Sequence, residues 1–191
     1  ATGIAVPLSV LASLGLVRGT FRAKEPIQLL LMAPLIVPSL VIGLSILLAS
    51  TMAEVRAAVP RLVLAHALIV LPYLVRTVTA SLIRVDPLAE EAARVLGASS
   101  MRTFWHVTLP AVMPGLLAGM IFSFIISFDN VSISLFLANA RTNTLPLSLM
   151  SYVEYNLDAS IAAVSSMLVA IALVVAVVLE RTFGLGRTLG A

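Results

Sequence analysis

The chain has 191 residues, of which 60% are hydrophobic and only 11% are charged. A soluble globular domain is about 25% charged, so this composition excludes an ordinary soluble protein and predicts an integral membrane protein. The net charge of +3 does not indicate nucleic-acid binding, because the cations lie in loops beside apolar stretches. The chain has no cysteine, which excludes a disulfide framework and a thiolate metal site.

The first two apolar stretches predict membrane spans. Residues 4–17 are short for a span of about 20 residues, and the chain begins at Ala1 rather than Met, so we expect a span cut at its start and a missing N-terminal segment. A signal-peptide core is the alternative, but no basic segment precedes the stretch and no small-residue cleavage site follows it. Residues 26–50 predict a clean second span, in which packing against neighbours makes Pro34 and Pro38 tolerable.

The third predicted span, residues 62–83, contains polar side chains that need an explanation. His66 is expected to be a hydrogen-bonded packing residue rather than a metal ligand, because no second histidine lies near it in the sequence. Arg76 needs a partner or a route to water, since a charge inside a membrane span is costly. Tyr73 follows Pro72 on the same stretch.

Residues 86–110 form the longest polar interval of the chain. Asp86 and Pro87 are a helix-start signal, and Gly97 is where that helix would end. Residues at helical spacing form one apolar face: Leu88, Ala92, Val95 and Leu96. A second short helix is expected from Ser99 or Ser100 to Pro110, with an apolar patch of its own: Met101, Phe104 and Trp105. Two amphipathic helices between membrane spans predict a segment that lies on a membrane or inserts into a partner's groove.

This interval resembles the EAA signature of binding-protein-dependent ABC importer permeases. The match comprises Glu91-Ala92-Ala93, Gly97, Val107 and Leu109-Pro110 at the family's spacings, and it departs only at Val107, where the family prefers Ile. The resemblance covers essentially the whole chain. It implies an all-α, polytopic membrane helix bundle of the type I ABC importer permease kind, a single domain over residues 1–191, with residues 86–110 as a cytoplasmic coupling loop.

In that family the loop docks into a cleft on an ATPase subunit. The residues expected to make this contact are Glu91, Ala92, Ala93, Leu96, Gly97, Phe104, Trp105, Leu109 and Pro110. The alternative is a helix that rests on lipid headgroups. Such helices are usually rich in Lys and Arg, whereas this one carries Glu90 and Glu91 against only Arg94.

The rest of the chain predicts two more spans. The fourth runs over residues 112–137, with Gly115 and Gly119 as a possible close-packing pair and Asp129-Asn130 in its far half. Residues 139–160 form a polar loop whose centre, 145–153, is apolar enough for a short helix or re-entrant turn. The last span covers residues 161–179. Five spans are therefore expected, where similar permeases usually have six, in keeping with a lost first helix.

The distribution of Lys and Arg predicts the orientation. With the coupling loop placed in the cytoplasm, that side receives eight of the twelve cations: Arg18, Arg22, Lys24, Arg84, Arg94, Arg102, Arg181 and Arg187. The other side receives Arg56, Arg61 and Arg141, and Arg76 lies within a span. The positive-inside rule thus agrees with the topology that the resemblance implies.

No catalytic or metal-binding residue is predicted. The chain lacks a GxxxxGK[ST] phosphate loop, paired carboxylates with a plausible cleft, and a His-rich metal spacing, so the energy for transport must come from a partner. The resemblance implies two ATP-binding subunits that hold ATP and Mg, a second and different permease subunit, an external solute-binding protein, and a bacterial inner membrane. Alternatives are a membrane scaffold, which has no need of costly intramembrane charges such as Asp129, and an intramembrane enzyme, which lacks a nucleophile–base pattern.

The runs FSFIISFDNVSISLFLA and AHALIVLPYLVRTV resemble spermidine/putrescine permeases, although permeases for iron, thiamine and aminoalkylphosphonates share parts of them. The substrate pathway is expected to involve Asp129, Asn130, Ser127, Tyr73 and Arg76. Asp129 either faces this pathway and meets an ammonium group, or pairs permanently with Arg76 or with a cation on the partner permease.

Overall fold

The computed structural model describes residues 1–139, 141–155 and 159–183. These residues are almost entirely helical, and within them no β-strand forms beyond one isolated bridge between Asn139 and Thr142. The chain packs as two compact units, Ala1–Thr142 and Asn143–Ala191. A single domain over the whole chain therefore stays a prediction.

The first unit contains the helices α1 Thr2–Arg18, α2 Lys24–Met32, α3 Ser39–Met52, α4 Ala58–Ile83, α5 Pro87–Val95, α6 Ser100–Thr103, α7 Leu109–Asp129 and α8 Val131–Leu137. The second unit contains α9 Leu145–Tyr155 and α10 Ala159–Phe183. The helices expected at 145–153 and 161–179 are thus present. The tail around Arg187 and the loop residue Asp158 lie outside the described residues.

Two helical runs in the described part of the chain are long and apolar enough to cross a membrane, Ala58–Ile83 and Ser100–Asp129, and the bent pair of α2 and α3 would add a third. Helix α1 and the segment Ala162–Ile171 of α10 are apolar but shorter. The all-helical membrane architecture is confirmed, whereas five spans stays a prediction.

Helix α4 is the centre of the first unit and packs along both α1 and α7. Its buried face includes Val70, Leu74 and Val78. The predicted glycine pair makes the contact with α7 close: a Cβ on Gly115 would collide with Ser81, and one on Gly119 with the Thr77 side chain. Small residues at both positions therefore let the two helix backbones approach.

The expected clean span over residues 26–50 is wrong, because the chain bends there by 103°. Helix α2 ends at Met32, a 3-10 turn covers Ala33–Leu35, and α3 begins only after Pro38. Neither proline can donate an N–H, and Pro38 disfavours helical backbone at the residue before it. Beyond the bend, Gly43 lies close to the backbone of Ile133, so α3 packs tightly against α8.

The fourth predicted span, residues 112–137, is wrong in its bounds, because the long apolar helix starts earlier and ends at Asp129. Helix α7 ends at Asp129, and Asn130 has a non-helical backbone (φ −79°, ψ 81°). The Asn130 side chain accepts a hydrogen bond from the Ile133 N–H at 3.0 Å and so caps the start of α8. Asn favours such caps because its side chain competes with the backbone for local hydrogen bonds. The Asp-Asn pair therefore lies at a helix break.

Candidate functional site: the coupling loop and the Asp129 break

Helix α5 has well-defined ends. The Asp86 carboxylate accepts a hydrogen bond from the Leu88 N–H at 2.9 Å, and Pro87 occupies the first helical turn, where its missing N–H costs nothing. At the other end, the Gly97 N–H bonds to the Arg94 carbonyl and the Ala98 N–H bonds to the Ala93 carbonyl. These two bonds form a Schellman motif, which satisfies carbonyls that would otherwise lack partners.

Gly97 confirms the predicted bend. Its φ is 89°, in the region that favours glycine, and it is the one glycine with positive φ in the described chain. A Cβ built at this position would meet nothing within 4 Å. The requirement for glycine is therefore a matter of backbone conformation and not of space.

The second short helix is not the separate element that was expected. Ser99 caps α6 by accepting from the Arg102 N–H at 3.3 Å, but α6 continues through a π-helical turn, Phe104–Thr108, directly into α7. Pro110 does not end this helix as predicted. It follows the widened turn, in which the Leu109 N–H bonds to the Phe104 carbonyl five residues before it. Such a turn can accommodate the proline ring, which would crowd a normal helical turn.

The apolar face of α5 points away from the protein's own helices. Val95 is 87% exposed and Leu96 is 88% exposed, and Leu88 and Ala92 are exposed as well. Met101 and Trp105 extend this surface beyond the bend. We call these residues the coupling face: Leu88, Ala92, Val95, Leu96, Met101 and Trp105. Because burial of such side chains is favourable by about 1.5–3 kcal/mol each, the coupling face has the character of a surface that a partner covers.

On the side of α5 away from its apolar face, Glu90 is buried, whereas Glu91 and Arg94 are exposed. Glu90 is only 8% exposed. Its Oε1 lies 3.4 Å from Nη2 of Arg18 at the end of α1, and it accepts a hydrogen bond of 2.8 Å from Thr108 just before α7. We call this contact the Glu90 anchor. It attaches α5 to both of the helices that pack along α4.

The sequence does not predict the Glu90 anchor, because nothing in it pairs Glu90 with Arg18, 72 residues earlier in the chain. The available signal was a carboxylate on the side of the helix opposite the apolar face. If the apolar face is turned toward a partner, the opposite side is left to contact the protein's own helices.

The residues expected to couple to the ATPase divide by exposure. Glu91, Ala92, Leu96, Gly97, Trp105 and Pro110 are exposed, whereas Ala93, Phe104 and Leu109 are partly buried. Phe104 and Leu109 pack against the buried core of their own chain. Phe104 also meets Trp105 edge-on, with ring centroids 5.5 Å apart, so it supports the exposed indole from behind.

The neighbouring carboxylates Glu90 and Glu91 allow a matched comparison. We expect Glu90→Gln to lower the free energy of unfolding of the protein by roughly 1–3 kcal/mol, because the Arg18 guanidinium loses its charged partner. Glu91→Gln should leave the free energy of unfolding within about 0.5 kcal/mol of wild type, as for most exposed positions. Thermal unfolding of the purified protein measures both. Equal stability of the two variants would contradict the anchor.

The predicted pathway residues do not form one cluster. Asp129 is exposed at the end of α7, and the structure places no cation within ion-pair distance of it among the described residues. Arg76 is exposed on α4 and lines a cavity whose walls include neither Asp129 nor Tyr73. The permanent Asp129–Arg76 pair is thus not formed here. Tyr73 is half-buried on α4, three residues before Arg76.

Ser127 and Asn130 have structural partners. The buried His66 lies 3.0 Å from the Ser127 hydroxyl through Nδ1 and 3.3 Å from the Ser134 hydroxyl through Nε2. The expectation that His66 is a hydrogen-bonded packing residue is confirmed. This contact joins α4 to α7 and α8 on either side of the Asn130 break, so Asp129 is presented by a braced turn rather than a free loop.

A family model described as the inner membrane component of binding-protein-dependent transport systems matches residues 5–183. The chain belongs to this family. The match extends over nearly the whole sequence, so it includes both α5 and the Asn130 break.

Curated relatives of this permease-family chain are transport permeases. This chain is 30% identical over 175 residues to the putrescine transport system permease protein PotI of Escherichia coli K12, and the alignment covers 88% of this chain and 62% of PotI. It is 28% identical over 177 residues to the spermidine/putrescine permease PotC of Haemophilus influenzae, covering 93% of this chain and 69% of PotC. The molybdenum permease ModB of H. influenzae is 30% identical over 165 residues, covering 78% of this chain and 72% of ModB. The chain thus spans less than two thirds of the length of PotI.

Proposed function

We propose that this chain is the transmembrane permease subunit of an ATP-driven ABC importer and forms half of its translocation pathway. The observation that carries the proposal is the outward-facing apolar side of α5, which meets no helix of its own unit, on a helix attached to that unit by the buried Glu90. A membrane scaffold would also use a docking surface. It would not need Asp129 at a braced helix break in a span, however, so transport is favoured.

The Glu90 anchor suggests how movement passes from the ATPase to the membrane. An ATPase cleft that closes around the coupling face would displace α5. Because Glu90 contacts Arg18 and Thr108, the same displacement would act on the ends of α1 and α7, which pack along α4. The chain itself supplies no nucleotide chemistry in this proposal. ATP and Mg are held by two partner ATPase subunits, and a second permease subunit and an external solute-binding protein complete the importer in the bacterial inner membrane.

The substrate proposed is a polyamine such as putrescine or spermidine. Two of the relatives carry these substrates in their names, and the exposed carboxylate of Asp129 suits an ammonium group. The molybdenum relative supports a second candidate class, an oxyanion. A carboxylate in the pathway would repel an oxyanion, so Asp129 favours the cation. Thiamine, iron and aminoalkylphosphonates remain alternatives from the sequence resemblance.

Uptake by the assembled importer in proteoliposomes tests this function. ATP-dependent accumulation of labelled putrescine or spermidine, with no accumulation of molybdate, is the expected result. Molybdate uptake without polyamine uptake would reject the polyamine and retain the importer. ATP-independent uptake, or none for any candidate solute although ATPase and binding protein are present, would contradict the importer itself.

Orientation can be tested with single cysteines, because the chain has none of its own. A membrane-impermeant maleimide should label Asn143→Cys in intact cells, and it should label Leu96→Cys only after the inner membrane is opened. The permease is expressed without its ATPase, so that position 96 stays accessible. Labelling of Leu96→Cys in intact cells would place α5 outside the cytoplasm and reject the ATPase-facing assignment.

A further inference from the structure

A cavity of about 720 Å³ lies between α1, the bent α2 segment and α4. Its lining includes Leu16 and Val17 from the last turn of α1, and Val75 and Ile83 from the last third of α4. Most of its wall is apolar, with Leu35 and Ile36 on the α2 side. The α2 side of the wall belongs to the segment that leads into the 103° bend, which interrupts the predicted second span.

Two cations, Lys24 and Arg76, line this otherwise apolar cavity, together with the amide of Gln28 and the hydroxyl of Thr79. The pair between Arg18 and Glu90 is the one salt bridge in the described part of the chain, so neither cation has a carboxylate partner there. Arg76 lies seven residues before the end of α4, or about 10 Å at 1.5 Å per residue. A guanidinium at that depth of a span needs an anion or a route to water.

We propose that this cavity binds an anionic phospholipid of the cytoplasmic leaflet. Lys24 and Arg76 would hold the phosphate, Gln28 would donate a further hydrogen bond, and an acyl chain would lie along the apolar walls. The position fits, since Lys24 begins α2 directly after the cytoplasmic end of α1 in the predicted orientation. Basic pockets between helices on the cytoplasmic side are suited to such headgroups. The same two cations would repel a polyamine, so the cavity is not a second substrate site.

A bound lipid would have a structural consequence. Because the cavity walls come from α1, α2 and α4, one lipid would hold the bent α2 against the two helices beside it. This inference does not depend on the proposed substrate or on ATPase docking, and it can fail while both of those hold.

Lipid retention tests the proposal on the assembled complex. The complex is purified in mild detergent, and its lipids are identified by mass spectrometry and by titration with phosphatidylglycerol. We expect wild type to retain phosphatidylglycerol or cardiolipin. The Lys24→Gln/Arg76→Gln double variant should retain at least ten-fold less of this lipid per complex. The control, Arg22→Gln/Arg84→Gln, removes two exposed cations that do not line the cavity and should retain the lipid.

Several results would overturn the site. One is equal retention of anionic lipid by wild type and the double variant. Another is retention of zwitterionic phosphatidylethanolamine by wild type to the same extent as phosphatidylglycerol. The third is a wild-type complex without anionic lipid, which is expected if another protein segment fills the cavity. Displacement of the lipid by millimolar inorganic phosphate would indicate a simple anion site instead. If the double variant does not assemble, Lys24→Arg/Arg76→Lys takes its place: it keeps both charges and should keep the lipid, and loss of the lipid from this variant would contradict the charge-based account.

Discussion

Replacing Gly97 with valine should abolish ATP-driven uptake while leaving membrane insertion intact. The φ of 89° at this position is strongly unfavourable for a β-branched residue, at a cost of about 1–3 kcal/mol. Every 1.4 kcal/mol is a factor of ten in an equilibrium, so the native bend should lose about 5- to 150-fold in population relative to other conformations of the loop. The coupling face would then be split at its centre, with Val95 and Leu96 no longer aligned with Met101 and Trp105. Uptake and ATPase copurification measure the effect.

The control for this change is Gly15→Val. Gly15 lies inside α1, is not among the positive-φ glycines, and has no neighbour within 4 Å of an added Cβ, so a side chain at this position meets no backbone strain and has space at its Cβ. Gly97→Asn should be intermediate, because Asn tolerates positive φ better than other non-glycine residues. Normal uptake and normal ATPase copurification by Gly97→Val would refute the docking role of the loop.

Asp129→Asn is expected to reduce uptake of a cationic substrate about ten-fold or more with complex assembly intact. The change keeps the shape of the side chain and removes the charge that would meet an ammonium group. In the structure Asp129 is exposed and has no cation within ion-pair distance among the described residues, so the change breaks no internal ion pair of the described chain. Initial rates of putrescine uptake, together with recovery of the complex after solubilisation, separate the two effects.

A matched control for Asp129 is Glu54→Gln, which removes an exposed carboxylate from the connection between α3 and α4. This variant should transport normally. The double change Asp129→Asn/Arg76→Gln distinguishes the alternatives further. If Asp129 and Arg76 formed a structural pair, removal of both charges would restore the assembly that Asp129→Asn alone disrupts. If Asp129 faces the substrate pathway, the double change should not restore uptake. Wild-type uptake by Asp129→Asn in a fully assembled complex would leave the polyamine assignment to similarity alone.

The sequence predicts the coupling loop well where the controlling interactions are local. The Asp86 cap, the helix that follows it and the positive φ of Gly97 all depend on neighbours within a few residues, and each has a specific residue preference. The apolar face of α5 is also evident from spacing. The direction in which that face points is not evident from the sequence, because periodicity shows that a helix has two different sides but not which side contacts the rest of the protein.

The interactions that were missed depend on distant residues or on breaks within apolar runs. Glu90 meets Arg18 only because the end of α1, the middle of α5 and the turn before α7 come together in the fold. A hydropathy average predicts continuous membrane spans over residues 26–50 and 112–137, because a single proline or asparagine hardly changes the mean hydropathy of a window of about 20 residues. Yet Pro38 and Asn130 break the helices there, because one removes a backbone donor and the other offers a competing acceptor.

The most direct test of the account is a cross-link between the coupling face and the ATPase. Single cysteines replace Leu96 on α5 and Leu64 on the membrane helix α4, both of which are exposed apolar positions. A short bifunctional maleimide is then added to membranes that contain the assembled importer. Leu96→Cys should yield a permease–ATPase adduct whose amount changes with ATP, and Leu64→Cys should yield none. If position 96 forms no adduct in membranes where the ATPase is bound, or if both positions cross-link equally, α5 is not the element that couples this permease to ATP hydrolysis.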